Sequence, residues 1–249
     1  MKSIRDIYKI GVGPSSSHTM GPERAAKIFL EQHPGADRYR VTLYGSLSKT
    51  GVGHGTDRVL RHVLGDSRTG IVFSKEEWPG MHPNTMDLEA IVGEDVVGTM
   101  RIESIGGGDI RIPGQTLLDS PDVYPENSFA EVSDFCHWRY IDTLSDYVEL
   151  NEGEEIWPFL MEVWQVMKNA IDRGLKTTGT LPGGLRVERK AKYLYEQVPQ
   201  DDVPALKEFQ LISAFAYAVA EQNADNGTIV TAPTCGACGV LPAVLRYAQ

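Results

Sequence analysis

An α+β unit followed by an all-helical unit is the fold class this chain predicts, and three observations carry it. Segments rich in β-formers are interleaved with amphipathic helical stretches up to residue 115. A stretch marked by Pro113, Pro121 and Pro125 then breaks the periodicity. From residue 134 onward, apolar residues recur at spacings of three and four. The units are accordingly placed at 1–115 and 134–249, joined by a linker at 116–133, and both lengths are ordinary for domains.

Apolar residues at 4, 7, 8 and 10 suit a short amphipathic opening segment. The loop Gly11-Val12-Gly13-Pro14-Ser15-Ser16-Ser17-His18-Thr19-Met20-Gly21 follows and feeds a helix over 22–32. In that helix Pro22 takes the first position, and Ala25, Ala26, Ile28, Phe29 and Leu30 face inward. Residues 39–45 alternate as a strand and run into a glycine-rich loop, 45–57, whose backbone is free to wrap round a ligand. Thr56 or Asp57 would cap the next helix, with Val59, Leu60, Val63 and Leu64 as its apolar face. Strands are expected at 70–73, 88–92, 96–105 and 109–112. In the second unit, helices are expected at 135–149, at 155–173 with Gly174 as its stop, at 189–196 and at 204–221.

Composition limits what such a chain can do. No run approaches the ~18 apolar residues of a membrane span, and the first residues lack the apolar core of a signal peptide. A cytoplasmic protein with no membrane partner is therefore expected. The net charge of -10, without any basic block, would repel a phosphate backbone, so no nucleic-acid partner is expected. Three unevenly placed cysteines make no disulfide framework, and the Cys235-Gly236-Ala237-Cys238 spacing points first to metal or redox chemistry.

Three places carry candidate chemistry. Ser15, Ser16, Ser17, His18 and Thr19 precede a helix N-terminus, which suits a carboxylate or phosphate, although plain capping accounts for the same residues. His54 lies between two glycines just before a helix, with none of the bulky neighbours of a core histidine, which favours an acid–base role. Cys235 and Cys238 precede a helix that Pro242 would start, so at least one sulfur should feel the dipole that lowers a thiol pKa. A redox disulfide, a zinc half-site and an iron–sulfur ligand pair all remain open on spacing. Cys136 beside an apolar helical face reads as a small buried hydrophobe, and Leu181-Pro182-Gly183-Gly184-Leu185 as a turn between helices.

Taken together and in this order, Gly13-Pro14-Ser15-Ser16-Ser17-His18-Thr19, Tyr44-Gly45-Ser46-Leu47, Gly53-His54-Gly55-Thr56-Asp57, Ser104-Ile105-Gly106-Gly107-Gly108, Leu181-Pro182-Gly183-Gly184-Leu185 and Thr231-Ala232-Pro233-Thr234 with Gly236-Ala237-Cys238-Gly239 resemble the bacterial iron–sulfur L-serine dehydratases. The likeness covers essentially the whole chain. It implies an α+β domain before an all-helical catalytic domain that holds a 4Fe-4S cluster through three cysteines, with the fourth iron open to substrate. It further implies a homodimer acting on L-serine without pyridoxal phosphate.

Carried onto this sequence, the resemblance makes Cys238 the first cluster ligand. Cys235, where relatives often have asparagine, becomes a neighbour of the cluster. His54 would be the base that takes the α-proton, and Ser15, Ser16, Ser17, His18 and Thr19 would line the substrate site. The two other ligands are expected beyond residue 249, so the chain reads as incomplete and as inactive by itself. Two rival readings stand beside this one: a non-catalytic binder of amino or hydroxy acids through residues 15–19, and a thiol oxidoreductase through Cys235 and Cys238.

Overall fold

The computed structural model describes residues 1–114, 121–197 and 204–249. The first strand, β1 (Ile10–Val12), leads through the serine-rich turn into α1 (Gly21–Gln32), and β2 (Arg38–Leu43) follows. Then come α2 (Gly45–Thr50), α3 (Thr56–Leu64), β3 (Thr69–Phe73), β4 (Thr85–Val92), β5 (Asp95–Gly106) and β6 (Asp109–Arg111). The sheet runs β3-β2-β4-β5-β6, with β2 and β3 parallel and the other neighbours antiparallel.

The period of two predicted for β2 decides which face is buried. Tyr39, Val41 and Leu43 point inward, where they meet Ala25, Ala26 and Phe29 of α1, Leu60 and Leu64 of α3, and Met86 and Leu88 of β4. Full burial of each large apolar side chain contributes roughly 1.5–3 kcal/mol. The expected loop at 45–57 is in part a helix. Gly45, at φ +51, turns the chain sharply out of β2 where an added Cβ would lie 2.5 Å from the Pro83 carbonyl oxygen. The next residues can then coil with Leu47 fully buried.

Beyond the sheet come α4 (Phe129–Arg139), α5 (Leu144–Glu152), α6 (Ile156–Lys176), α7 (Ala191–Glu196), α8 (Pro204–Ala224), β7 (Thr228–Val230) and α9 (Val240–Ala248). The expected linker lies partly outside the described residues, and its last residues already belong to α4. The single helix expected at 135–149 is two helices. Tyr140 takes a left-handed conformation after α4, and Thr143 then caps α5 by accepting from the Asp146 amide.

Gly174 does not stop α6. The helix continues to Lys176 because this glycine marks a crossing: an added Cβ would lie 2.3 Å from the Ala218 carbonyl oxygen of α8. The all-helical expectation for the second unit also meets an exception in β7, which pairs antiparallel with β1 in the register Ile10↔Val230, Gly11↔Ile229, Val12↔Thr228. Three residues are too short a run to show periodicity. Around this joint Lys9 and Thr231 exchange bonds: the Thr231 amide donates to the Lys9 carbonyl at 2.9 Å, and the Lys9 amide donates to the Thr231 hydroxyl, Oγ1, at 2.9 Å. A second tie runs from Glu152 of α5 to Ser3 Oγ at 2.7 Å and to the Ile4 amide at 2.8 Å. Among the described residues, no helix is long and apolar enough to cross a membrane.

Candidate active site

The serine-rich turn is built as a wide helical turn, Ser16–Met20, feeding directly into α1. Ser15 begins it in extended conformation, and its Oγ accepts from the His18 amide at 3.1 Å. The Ser15 carbonyl accepts from both Thr19 N, at 2.9 Å, and Met20 N, at 3.1 Å. These amides, which the sequence offered to an anion, are thus bonded within the turn. The His18 ring bridges outward, with Nδ1 2.9 Å from Ser17 Oγ and Nε2 2.9 Å from Ser46 Oγ at the start of α2.

His54 lies on the turn between α2 and α3. Its Nδ1 is 3.0 Å from the Thr50 carbonyl oxygen. A carbonyl can only accept, so in the neutral ring Nδ1 carries the hydrogen and Nε2 keeps its lone pair. Gly55 follows at φ +68 and takes the N-cap position of α3, where an added Cβ would meet Asn226 Oδ1 at 2.9 Å. The cap expected from Thr56 or Asp57 is not made. Instead the Thr56 hydroxyl donates to the His18 carbonyl at 2.5 Å, and Thr19 Oγ1 donates to the His54 carbonyl at 2.8 Å.

The two imidazoles are 4.7 Å apart between ring centroids, tilted by 36°. Burial, and then repulsion from His54, hold His18 below its ordinary value of 6.5. A histidine depressed by folding contributes stability that is fully present above the unfolded value and lost as pH falls through the lower folded one. The urea midpoint should therefore fall on acidification from neutral pH toward about pH 5, and His18→Gln should flatten that fall. An unchanged slope in the variant would contradict this account.

The terminal loop reaches the same place from the other end of the chain. Cys235 and Cys238 are free thiols, each 2% exposed. The Cys235 thiol lies 3.6 Å from Met20 Sδ, so the last residue of the serine turn belongs to the apolar core of the helical half. Burial, with repulsion from Cys238, pushes Cys235 up to about 12, and burial pushes Cys238 up to about 11 against a smaller lowering by a backbone hydrogen bond. The lowering expected from the α9 dipole is therefore outweighed by desolvation. Buried thiols raised in this way are poor nucleophiles, which weighs against the oxidoreductase reading.

Gly107 joins this assembly, since an added Cβ there would lie 4.0 Å from the Pro233 carbonyl oxygen. Residues 15–19, His54, the 104–108 loop and the cysteine loop are thus brought together. The 181–185 loop is instead the tip of a hairpin closed by the Thr180–Glu188 bridge, with Leu185 89% exposed. Cys136 is half-buried in a separate apolar cluster with Tyr124, Val132 and Tyr147.

Sequence reasoning gave no role to several residues that shape the site, although Ser46 stands in one of the motifs quoted above. Ser46 holds the His18 ring, Asn223 donates to the Pro14 carbonyl at 3.2 Å, and Asn226 lies close against Gly55 after His54. The visible signal was Asn226-Gly227, a turn dipeptide directly after a helix. The donor set for a cluster is incomplete. Among the described residues no group of three or more His, Cys, Asp or Glu side chains could hold a metal ion, and the third cysteine sits in another core. Cys238 suits a single ligand of the implied 4Fe-4S cluster, but these residues do not make its set.

Against known proteins, the family model described as "Serine dehydratase beta chain" matches residues 3–65, and that described as "Serine dehydratase alpha chain" matches residues 48–249. The chain belongs to the serine dehydratase family. His54 lies in the stretch that both family models claim, between the serine turn of the beta-chain match and the cysteine loop of the alpha-chain match. The chain is 35% identical to "L-serine dehydratase 1" of Escherichia coli (strain K12), over 99% of this chain and 66% of that protein. It is 33% identical to "L-serine dehydratase" of Streptomyces coelicolor, over 98% and 65% respectively, and 30% identical to that of Helicobacter pylori, over 99% and 66%. It thus spans just under two thirds of these serine dehydratases. The match with the first runs over 299 positions against a chain of 249 residues, so that relative carries residues within the matched stretch that this chain lacks.

Proposed function

We propose that this chain provides the substrate-binding and proton-abstracting part of an L-serine ammonia-lyase, which converts L-serine to pyruvate and ammonia. The observation that carries the reading is His54, whose Nδ1 is bound to a carbonyl and whose Nε2, beside the serine turn, has no hydrogen-bond partner among the described residues. That it belongs to a family whose relatives are named L-serine dehydratases supplies the substrate.

In this reading the substrate carboxylate is held by the hydroxyls of Ser15, Ser16 and Ser17 and by the ring of His18, whose Nδ1 would give up its contact with Ser17 Oγ to donate to it. His54 Nε2 takes the α-proton as general base. The electron pair left at Cα forms the Cα–Cβ double bond as the β-hydroxyl departs, and proton uptake makes that group water. The aminoacrylate product tautomerises to an imine, and water adds to release ammonia and pyruvate. A Lewis acid at the departing hydroxyl is the chemistry the implied cluster would supply. Because the described residues do not complete its ligand set, no step is assigned through it.

The division into an α+β domain at 1–115, a linker at 116–133 and a helical catalytic domain at 134–249 belongs to the same proposal, as do a homodimer and a cytoplasmic location. Separate cores under the sheet and between α6 and α8 support the division. The test is pyruvate release from L-serine, measured anaerobically with iron and sulfide, by the native protein that contains this chain. L-serine is expected to give stoichiometric pyruvate and ammonia. A native protein that binds L-serine and yields neither would leave the binder reading in its place.

A further inference from the structure

Two buried threonines make the same contact in opposite directions. Thr19, beside His18, reaches the His54 carbonyl at 2.8 Å, and Thr56, close after His54, reaches the His18 carbonyl at 2.5 Å. Their exposures are 1% and 0%. Their amides are bonded within their own turns, Thr19 N to Ser15 O and Thr56 N to Gly51 O, each at 2.9 Å, so only the hydroxyls cross. Among the described residues, no other hydrogen bond runs directly between the 15–20 and 51–56 turns.

The sequence explains why both partners are available. The residue four after His18 is Pro22, which has no N–H to close an α-type bond on the His18 carbonyl. Thr56 is released from capping because Gly55 takes the N-cap position of α3. We propose that Thr19 and Thr56 form a reciprocal brace that fixes the His18 and His54 turns against each other, and that both are positioning residues for proton abstraction. The catalytic part of this statement rests on His54 being the base.

Two opposed bonds constrain more than one. A slide of either turn that relieved one hydroxyl would stretch the other, and each buried threonine hydroxyl would lose its acceptor. The spacing of the two turns that carry the rings, 4.7 Å apart, is therefore held by threonine hydroxyls on carbonyl oxygens, contacts that neither imidazole makes itself. Ser46 anchors only the His18 ring, from α2.

The test compares Thr19→Val and Thr56→Val, which keep the branched shape without the hydroxyl, with Thr19→Ser and Thr56→Ser, which keep the hydroxyl. Imidazole resonances of His18 and His54 are followed by NMR through a pH titration. The serine variants should match the parent, in which the His18 ring responds to its His54 neighbour, and each valine variant should lose that response. In the native protein the valine variants should also lose kcat on the order of 10–100-fold at unchanged KM. Valine variants whose imidazole signals and His18 response equal the parent's would overturn the brace. If the valine variants do not fold, the parent decides: slowly exchanging hydroxyl protons on both threonines support the brace, and their absence overturns it. A parent that shows the His18 response and no turnover would count against the lyase reading alone.

Discussion

Replacing His54 by alanine should lower pyruvate formation from L-serine by about 10²–10⁴-fold, the usual contribution of a positioned general base. The fold should survive the change. The His54 turn is also closed by main-chain bonds, Gly55 N to Val52 O at 3.2 Å and Thr56 N to Gly51 O at 2.9 Å, and neither uses the ring. Thr19 binds the His54 carbonyl, which alanine retains. The measurement is steady-state turnover of parent and His54→Ala under the same iron and sulfide loading, with circular dichroism as the control on folding. Turnover of the same order as the parent's would remove His54 as the base and leave the serine turn without a proton acceptor beside it. His54→Gln should do no better than alanine, since an amide can fill the space but cannot take the α-proton.

Gly174→Ala is expected to cost stability on a scale its size does not suggest. The new methyl would sit 2.3 Å from the Ala218 carbonyl oxygen and 2.6 Å from its carbonyl carbon, both main-chain atoms that cannot rotate aside. Helices α6 and α8 must separate to admit it, and overpacking of this kind costs about 1–3 kcal/mol, occasionally more. Alanine's better helix propensity returns no more than about 1 kcal/mol. A urea midpoint lowered at unchanged slope is the expected result. Gly35→Ala, where nothing lies within 4 Å of an added Cβ, should leave the midpoint nearly where it was. A Gly174→Ala protein as stable as the parent would mean that the helices do not cross so closely. Because α8 also supports Gly239, through the Ala216 carbonyl 2.7 Å from an added Cβ there, a shift of α8 would be felt at the cysteine loop.

The same glycine shows where local reading ends. Within a helical pattern a glycine before lysine and threonine looks like a stop, because backbone propensity is all that sequence displays. Its use as the contact point of two helices depends on Ala218, far along the chain. The elements of the sheet half were legible for the opposite reason. Tyr39, Val41 and Leu43 alternate because one face is buried, and burial writes a period of two directly into the chain. The break at Tyr140 was missed although Thr143 and Asp146 have the spacing of a helix start, since the apolar residues run on through it.

The candidate site divides in the same way. Its candidate residues were readable wherever residue type and punctuation coincide, as at Ser15, Ser16, Ser17, His18 and His54. Its assembly was not. Nothing in the residues around Met20 tells that its sulfur meets Cys235, or that Asn223 and Asn226 lie under the serine and histidine turns. Nor could the helix dipole at Cys238 be weighed against desolvation without knowing how deeply the thiol is buried.

The pairing of β1 with β7 governs the order in which a newborn chain can be completed. Every strand of the five-stranded sheet has been made by Arg111, so that layer has all its members while the ribosome is still working. The short strand that delivers the serine turn has no mate until Thr228–Val230 has emerged. At about 5–20 residues per second that wait is on the order of ten to forty seconds. Asn223, Asn226 and Cys235, which lie against the two turns and Met20, arrive in the same stretch as β7. The serine and histidine turns, although nearly the first to be translated, therefore cannot be completed until that stretch has emerged.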